Sequence, residues 1–304
     1  MDTRTPLDAR AVGTMLLLCL VWSLQQISLK AAAHDVSPML MIGIRSGIGV
    51  VLLGGLMRWR GEGLQWSAGR WRPGLLAGAL FALEYVLVAQ ALRLTHASHV
   101  VVFLYTAPLF AALGLHAKLP SEHLHRWQWA GIGLAFAGIV VAFAGRDAAG
   151  GGSFSGPVLL GDLLALLGGA AWGATTVTIR CSSLGAAPAT ETLLYQLTGA
   201  FTLLMPAAWL SGQTHFAATP AAWAHLGFQS LIVSFASFLV WCWLLRRYLA
   251  SRLGVFSFLT PVFGIVLGIW LLNEPLESSF ILGSGLVLAG IVLVSGEGLL
   301  RRAR

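Results

Sequence analysis

Charge is what this sequence has least of. Only 10% of its 304 residues are Asp, Glu, Lys or Arg, whereas a soluble domain keeps its surface wet with charge on about a quarter of its residues. Cysteine is scarce too, with Cys19, Cys181 and Cys242 at irregular spacings, which suggests neither a disulfide framework nor a zinc site. All three read as packing residues. No Walker A, HExxH or Gly-x-Ser-x-Gly pattern occurs, so nothing points to ATP drive, a metalloprotease or a serine hydrolase. No cofactor or metal is implied. His34, His96, His99, His116, His123, His125, His215 and His225 cluster mostly near the ends of apolar runs, without metal-ligand spacing. Long polar stretches are missing as well, and no connection could fold into a soluble domain of its own.

What is present is apolar. Hydrophobic residues make up 57% of the chain and the mean hydropathy is +0.79. Stretches of about 20 apolar residues recur, as a hydrocarbon layer ~30 Å thick requires of each helix. They predict an all-α integral membrane protein with ten transmembrane helices at 11–33, 37–57, 73–94, 97–117, 127–145, 157–180, 189–210, 221–245, 252–273 and 279–297. The first run is longer than a signal-peptide core of 7–15 residues and holds Trp22, Gln25 and Gln26, so it reads as an uncleaved span.

The net charge of +7 and pI near 10 would suggest nucleic acid in a soluble protein, but here the basic residues lie between apolar runs. With the N-terminus inside, fifteen Lys and Arg fall in cytoplasmic segments: Arg4, Arg10, Arg58, Arg60, Arg70, Arg72, Lys118, Arg126, Arg180, Arg246, Arg247, Arg252, Arg301, Arg302 and Arg304. Only Arg93 and Arg146 fall outside. The positive-inside rule then places both termini in the cytoplasm. The partner is a lipid bilayer, not nucleic acid.

The two halves repeat. Gly131–Val140 and Gly283–Val292 share seven of ten residues at an offset of 152. Ala97-Ser98 precedes Pro108 as Ala250-Ser251 precedes Pro261, at 153. Trp22 stands eight residues before Lys30, and Trp172 eight before Arg180, at 150. Three ordered matches define repeats over 11–145 and 157–297. An odd number of spans per copy inverts the second, the plan of secondary transporters that open a midplane site to each side in turn.

These residues, with Gly161-Asp162-Leu163-Leu164-Ala165 leading to Trp172-Gly173 and with Asn273-Glu274-Pro275, resemble the drug/metabolite transporter superfamily, EamA type, over essentially the whole chain. Within it the sequence is similar to the YddG-type exporters of aromatic and other amino acids. The resemblance implies alternating-access export of amino acids across a bacterial inner membrane. A broad drug or metabolite transporter, or an importer, of the same fold remains the alternative.

Polar groups inside spans are costly and need a reason. Glu84, mid-span in Phe81-Ala-Leu-Glu-Tyr85, reads as a ligand for a substrate ammonium, a proton-carrying carboxylate or a hydrogen-bonded structural residue. Its repeat mate is Ser237, on the stripe Ser230, Ser234, Ser237 and Trp241, one helical face. That stripe serves either a cavity or close helix packing. No intramembrane histidine is placed to activate these serines, which argues against a membrane-embedded protease. Trp22 with Gln25 and Gln26, and Trp172 with Thr175 and Thr176, place an aromatic ring over a small polar cluster, which suits an amphipathic solute; Tyr85 and Tyr105 extend that wall. Arg45 and Lys30 face either a substrate carboxylate or Asp162 in a structural ion pair. Pro108 and Pro261 read as hinges or kinks. The glycine faces of spans five and ten suit close packing and leave monomer and homodimer both open.

Overall fold

The computed structural model describes residues 9–63, 69–120, 123–144, 156–248, 256–275 and 277–300. It is helical throughout: α1 (Ala9–Ala31), α2 (Pro38–Trp59), α3 (Trp71–Leu94), α4 (Ala97–Leu104), α5 (Ala107–Lys118), α6 (Arg126–Ala144), α7 (Gly156–Arg180), α8 (Ala189–Leu210), α9 (Pro220–Gly227), a π-helical stretch (Phe228–Ser237), α10 (Phe238–Arg247), α11 (Leu259–Leu272) and α12 (Ser278–Leu300). Among the described residues seven helical segments are long and apolar enough to cross a membrane, α4–α5 counting as one and α9 with the π stretch as another. Leu259–Leu272 and Ser278–Val294 are shorter apolar helices. Ala250-Ser251, together with Arg4, Arg146, Arg252, Arg301, Arg302 and Arg304, lies outside the described residues.

Two of the expected spans are interrupted. The fourth breaks at Tyr105-Thr106, and the ninth shows the same break at Phe258. Each lies just before a proline, Pro108 or Pro261, that has no amide hydrogen to return to the carbonyl four residues back. The two breaks stand 153 residues apart, as Pro108 and Pro261 do, so one chemical cause accounts for both interruptions. Pro108 then sits in the first turn of α5, where its fixed φ is welcome.

In lipid, helices associate by packing and hydrogen bonds, since hydrocarbon offers no hydrophobic drive. Glycine does much of that here. Gly78 of α3 and Gly199 of α8 meet backbone to backbone, and an added Cβ on Gly199 would strike Gly78 itself. Gly131 and Gly138 of α6 lie against Gly290 and Gly283 of α12, each close to a facing carbonyl. Gly133 and Gly285 have open space instead. The faces that carry Gly131 and Gly138 on α6 and Gly283 and Gly290 on α12 are thus packed against each other.

The broken spans are gripped differently in the two halves. Gly169 of α7 packs against Thr106 Oγ1 and the carbonyls of Phe103 and Leu104, and Gly173 against Phe110 Cβ and the Ala107 carbonyl. On α1, 150 residues earlier, Cys19 Sγ donates to Phe256 O at 3.1 Å and Ser23 Oγ to Thr260 O at 2.7 Å. Cys19 is buried, as expected of a packing residue, but Cys181 is exposed just past α7. It is not a packing residue, because α7 ends there at the rim of the bundle.

Both ends of the bundle are clasped. At the far end, where α1 finishes, Val36 pairs with Phe216 in a short antiparallel bridge, and Thr219 Oγ1 donates to Asp35 Oδ2 at 2.7 Å. Near the start of α1, Arg70 pairs with Glu191 at 3.0 Å and Thr190 Oγ1 donates to Glu62 at 2.7 Å. Exposed tryptophans ring both ends: Trp59, Trp71, Trp127 and Trp129 at one, Trp209, Trp223 and Trp270 at the other. Such belts sit at membrane–water interfaces, where an amphipathic ring is at home.

Candidate functional site

Midway between these belts a polar cluster gathers from both halves. Trp22 of α1 donates its indole N–H to Ser237 Oγ at 3.2 Å and meets the Trp241 ring edge-on at 5.6 Å. One turn along α1, Gln25 Nε2 donates to the Tyr85 hydroxyl at 3.2 Å. The Arg45 guanidinium lies over the Tyr85 ring, 4.7 Å from its centroid, where a cation gains from the ring's negative face. Arg45 Nη1 donates to Gln229 Oε1, and Gln229 Nε2 donates to the Gln25 backbone carbonyl at 2.8 Å. Tyr105, on the broken turn between α4 and α5, meets Trp172 edge-on at 5.3 Å.

Glu84 completes the cluster. It is 4% exposed and close enough to Arg45 and Tyr105 to interact electrostatically. Its Oε2 is buried without a hydrogen-bond partner among the described residues, and so is Arg45 Nε. A buried polar atom left unpaired costs about 1–3 kcal/mol and more for a charged group. Two such atoms in one place, a carboxyl oxygen and a guanidinium N–H, suit a solute that carries both an ammonium and a carboxylate.

The sequence-predicted residues divide cleanly. Trp22, Gln25, Arg45, Glu84, Tyr85, Tyr105, Trp172, Ser237 and Trp241 come together. Thr175 is buried but returns its hydroxyl to Ala171 O at 3.0 Å. Thr176 is exposed and donates its hydroxyl to Trp172 O at 3.1 Å. Gln26 and Ser230 are buried, their side-chain oxygens without a hydrogen-bond partner among the described residues. Gln229, buried completely, is the member that the sequence reading missed. The rule that singled out Glu84, a long polar side chain among apolar neighbours, would have found it.

The ion pair weighed for Asp162 with Arg45 or Lys30 is not what the fold builds. Lys30 Nζ donates to the carbonyls of Leu92 and Thr95 at 2.5 and 2.7 Å, covering the C-terminal end of α3. Asp162 instead takes His99 Nδ1 on both oxygens at 3.0 and 3.1 Å, and the Thr95 hydroxyl on one. Asn273-Glu274 also acquires a physical role. Asn273 ends α11 with a left-handed φ of 52°, and Glu274 receives the amides of Ala97 and Ser98 at 2.6 and 3.0 Å. A carboxylate on the first amides of α4 satisfies orphan donors and the helix dipole together. Among the described residues no three metal-ligating side chains gather.

Residues 9–144 and 159–296 each match the EamA-like transporter family. The chain is 24% identical to the uncharacterized transporter YoaV of Bacillus subtilis, over 90% of this chain and 92% of that protein. It is 24% identical to the uncharacterized inner membrane transporter YedA of Escherichia coli, over 93% and 90%. A Salmonella typhimurium protein named a probable amino-acid metabolite efflux pump is 25% identical over 95% and 96%. A solved crystal structure, 22% identical, superposes with a TM-score of 0.67 over 98% of this chain and 100% of its own, a likeness of fold. With two family matches spanning most of its length, the chain belongs to the EamA-like transporter family.

Proposed function

We propose that this protein is a secondary transporter that exports amino acids, aromatic and other small amphipathic ones, across a bacterial inner membrane. Its ten spans form two inverted repeats, 11–145 and 157–297, with both termini in the cytoplasm and the site at the midplane. The excess of Lys and Arg in alternate loops supports the orientation. The two separate family matches support the repeat. The printed name of the Salmonella relative agrees with the substrate class.

The observation that carries the reading is a pair of buried atoms without a hydrogen-bond partner among the described residues, Glu84 Oε2 and Arg45 Nε, beside the rings of Trp22, Tyr85, Tyr105, Trp172 and Trp241. Glu84 receives the substrate ammonium, Arg45 its carboxylate, and the rings take the side chain. Pro108 and Pro261 hinge the two spans that carry the gates. The sequence has no Walker A pattern, so a solute or ion gradient drives the cycle. Uptake of labelled tryptophan, methionine and threonine into proteoliposomes holding only this protein tests the reading. Uptake above empty liposomes, lost in Trp172→Ala, supports it. No uptake of any of the three by folded protein overturns the amino-acid assignment and moves the search to drug-like and other metabolites.

A further inference from the structure

Arg45 carries its charge inside a span, and the residues around it determine where that charge stands. It lies seven residues into α2, about 10 Å from the helix start at 1.5 Å per residue. An arginine so placed ordinarily runs its long stem along the helix and lifts the guanidinium toward the headgroups. Here it is 3% exposed and stays inside.

A closed ring of four residues holds it. Arg45 Nη1 donates to Gln229 Oε1, Gln229 Nε2 donates to the Gln25 carbonyl at 2.8 Å, and Gln25 Nε2 donates to the Tyr85 hydroxyl at 3.2 Å. The Arg45 guanidinium over the Tyr85 ring closes the circuit. Three members come from α1, α2 and α3 of the first half. Gln229 alone comes from the second half, as the second residue of the π-helical stretch, a register met mostly at functional sites.

The chemistry of an amide explains the residue at 229. Arg45 can only donate and the Gln25 carbonyl can only accept, so its two partners fix which end of the Gln229 amide faces each. Asn, one methylene shorter, does not span both. An ionised Glu would accept from Arg45 but has no hydrogen for the carbonyl. The larger difference is charge. An amide oxygen satisfies the guanidinium geometrically and leaves its charge uncancelled, whereas a carboxylate there would form a charge-assisted pair with it. Arg45 Nε stays without a hydrogen-bond partner among the described residues.

We propose that Gln229 is the positioning residue for Arg45: it holds the guanidinium, still charged, at the depth of the site and so sets the preference for solutes with a carboxylate over those with an ammonium alone. This rests on the reading of Arg45 as the ligand of the substrate carboxylate. Released from Gln229, Arg45 keeps its charge and loses its place. Recognition of the carboxylate then falls, while Glu84 and the rings still bind the rest of the solute.

Proteoliposome kinetics with tryptophan and tryptamine, which share a ring and an ammonium, separate positioning from a merely structural role. Gln229→Ala raises half-saturation for labelled tryptophan by roughly tenfold or more, as loss of a hydrogen bond to a charged group implies. The maximal rate and the inhibition constant of tryptamine stay as they were. Gln229→Glu, close to the native volume, carries the same test should the cavity left by alanine prevent folding. It cancels the charge, weakens tryptophan at least as much and strengthens tryptamine. Equal weakening of both solutes by Gln229→Ala, or an unchanged tryptophan half-saturation, overturns the proposal, while a wild-type preference for tryptophan still upholds the substrate reading.

Nitrogen-15 arginine spectra of the purified full chain read the positioning without any substrate. The Arg45 signals, identified by their absence in Arg45→Lys, are those of a guanidinium with slowed rotation about Nε–Cζ, and Gln229→Ala restores fast rotation. Identical Arg45 signals in wild type and Gln229→Ala overturn the proposal. A wild-type protein that moves no amino acid refutes the substrate reading, and the spectra then decide whether Gln229 holds Arg45.

Discussion

Trp22 on α1 and Ser237 on the π-helical stretch, 215 residues apart in sequence, are joined by an indole-to-hydroxyl hydrogen bond of 3.2 Å. The bond ties the first half of the chain to the second at mid-depth, beside the Trp22–Trp241 ring contact. Trp22→Phe keeps a ring and loses the bond, worth about 0.5–1.5 kcal/mol. Its half-saturation concentration for uptake rises about two- to tenfold with the maximal rate nearly kept. Trp22→Ala removes the wall and abolishes saturable uptake in the same assay.

Glu84→Gln preserves shape and removes the charge offered to an ammonium group. Hydrogen bonds to charged groups contribute about 1.5–3 kcal/mol. Half-saturation for zwitterionic substrates therefore rises about ten- to a hundredfold in proteoliposome kinetics, while thermal stability in detergent does not fall.

Gly199→Val drives a side chain into the Gly78 backbone. Overpacking of this kind costs about 1–3 kcal/mol, occasionally more, and here the obstacle is main chain that cannot rotate away. A thermal unfolding scan shows a clearly lowered midpoint for Gly199→Val. Gly133→Ala, which meets nothing within 4 Å, leaves the midpoint unchanged.

Asp35 gives the fold a pH dependence at the far-end clasp. The Thr219 hydroxyl bonded to it, and His34 beside it, hold its carboxyl below the usual carboxylate value. A depressed folded value contributes stability above the unfolded value and loses it as pH falls through the folded one. Wild type is therefore the more stable of the pair wild type and Asp35→Asn near neutral pH. The two converge only as pH falls through the depressed folded value, below which the carboxylate is protonated in both states. Melting midpoints across that range read the difference.

Much of this was legible in the sequence because each feature had a local cause. The seven long spans follow from apolar run length, and the two breaks follow from Pro108 and Pro261. The gathering of Trp22, Glu84, Tyr85 and Tyr105 follows from the cost of polar groups in lipid and from helical spacing. What was not legible depends on partners far apart in the chain. Asp162 finds His99 rather than Arg45 or Lys30 because α4 and α7 lie side by side, and no spacing within either helix says so. Thr176 turns its hydroxyl back to its own helix, a competition between side chain and backbone that composition leaves undecided. The π-helical register of Phe228–Ser237 carries no sequence mark. The serine face nonetheless stays buried, as Ser230, Ser234 and Ser237 show.

The central claim is that one site reads both charged ends of an amino acid, Glu84 the ammonium and Arg45 the carboxylate. Competition against labelled tryptophan uptake by unlabelled tryptophan, tryptamine and indole-3-propionate tests it most directly. The three share a ring and differ only in which charges they carry. Strong competition by tryptophan, with both single-charge analogues weaker by tenfold or more at ~1.4 kcal/mol per factor of ten, is the predicted result. Equal competition by all three would contradict the claim and leave the aromatic wall as the sole basis of selection.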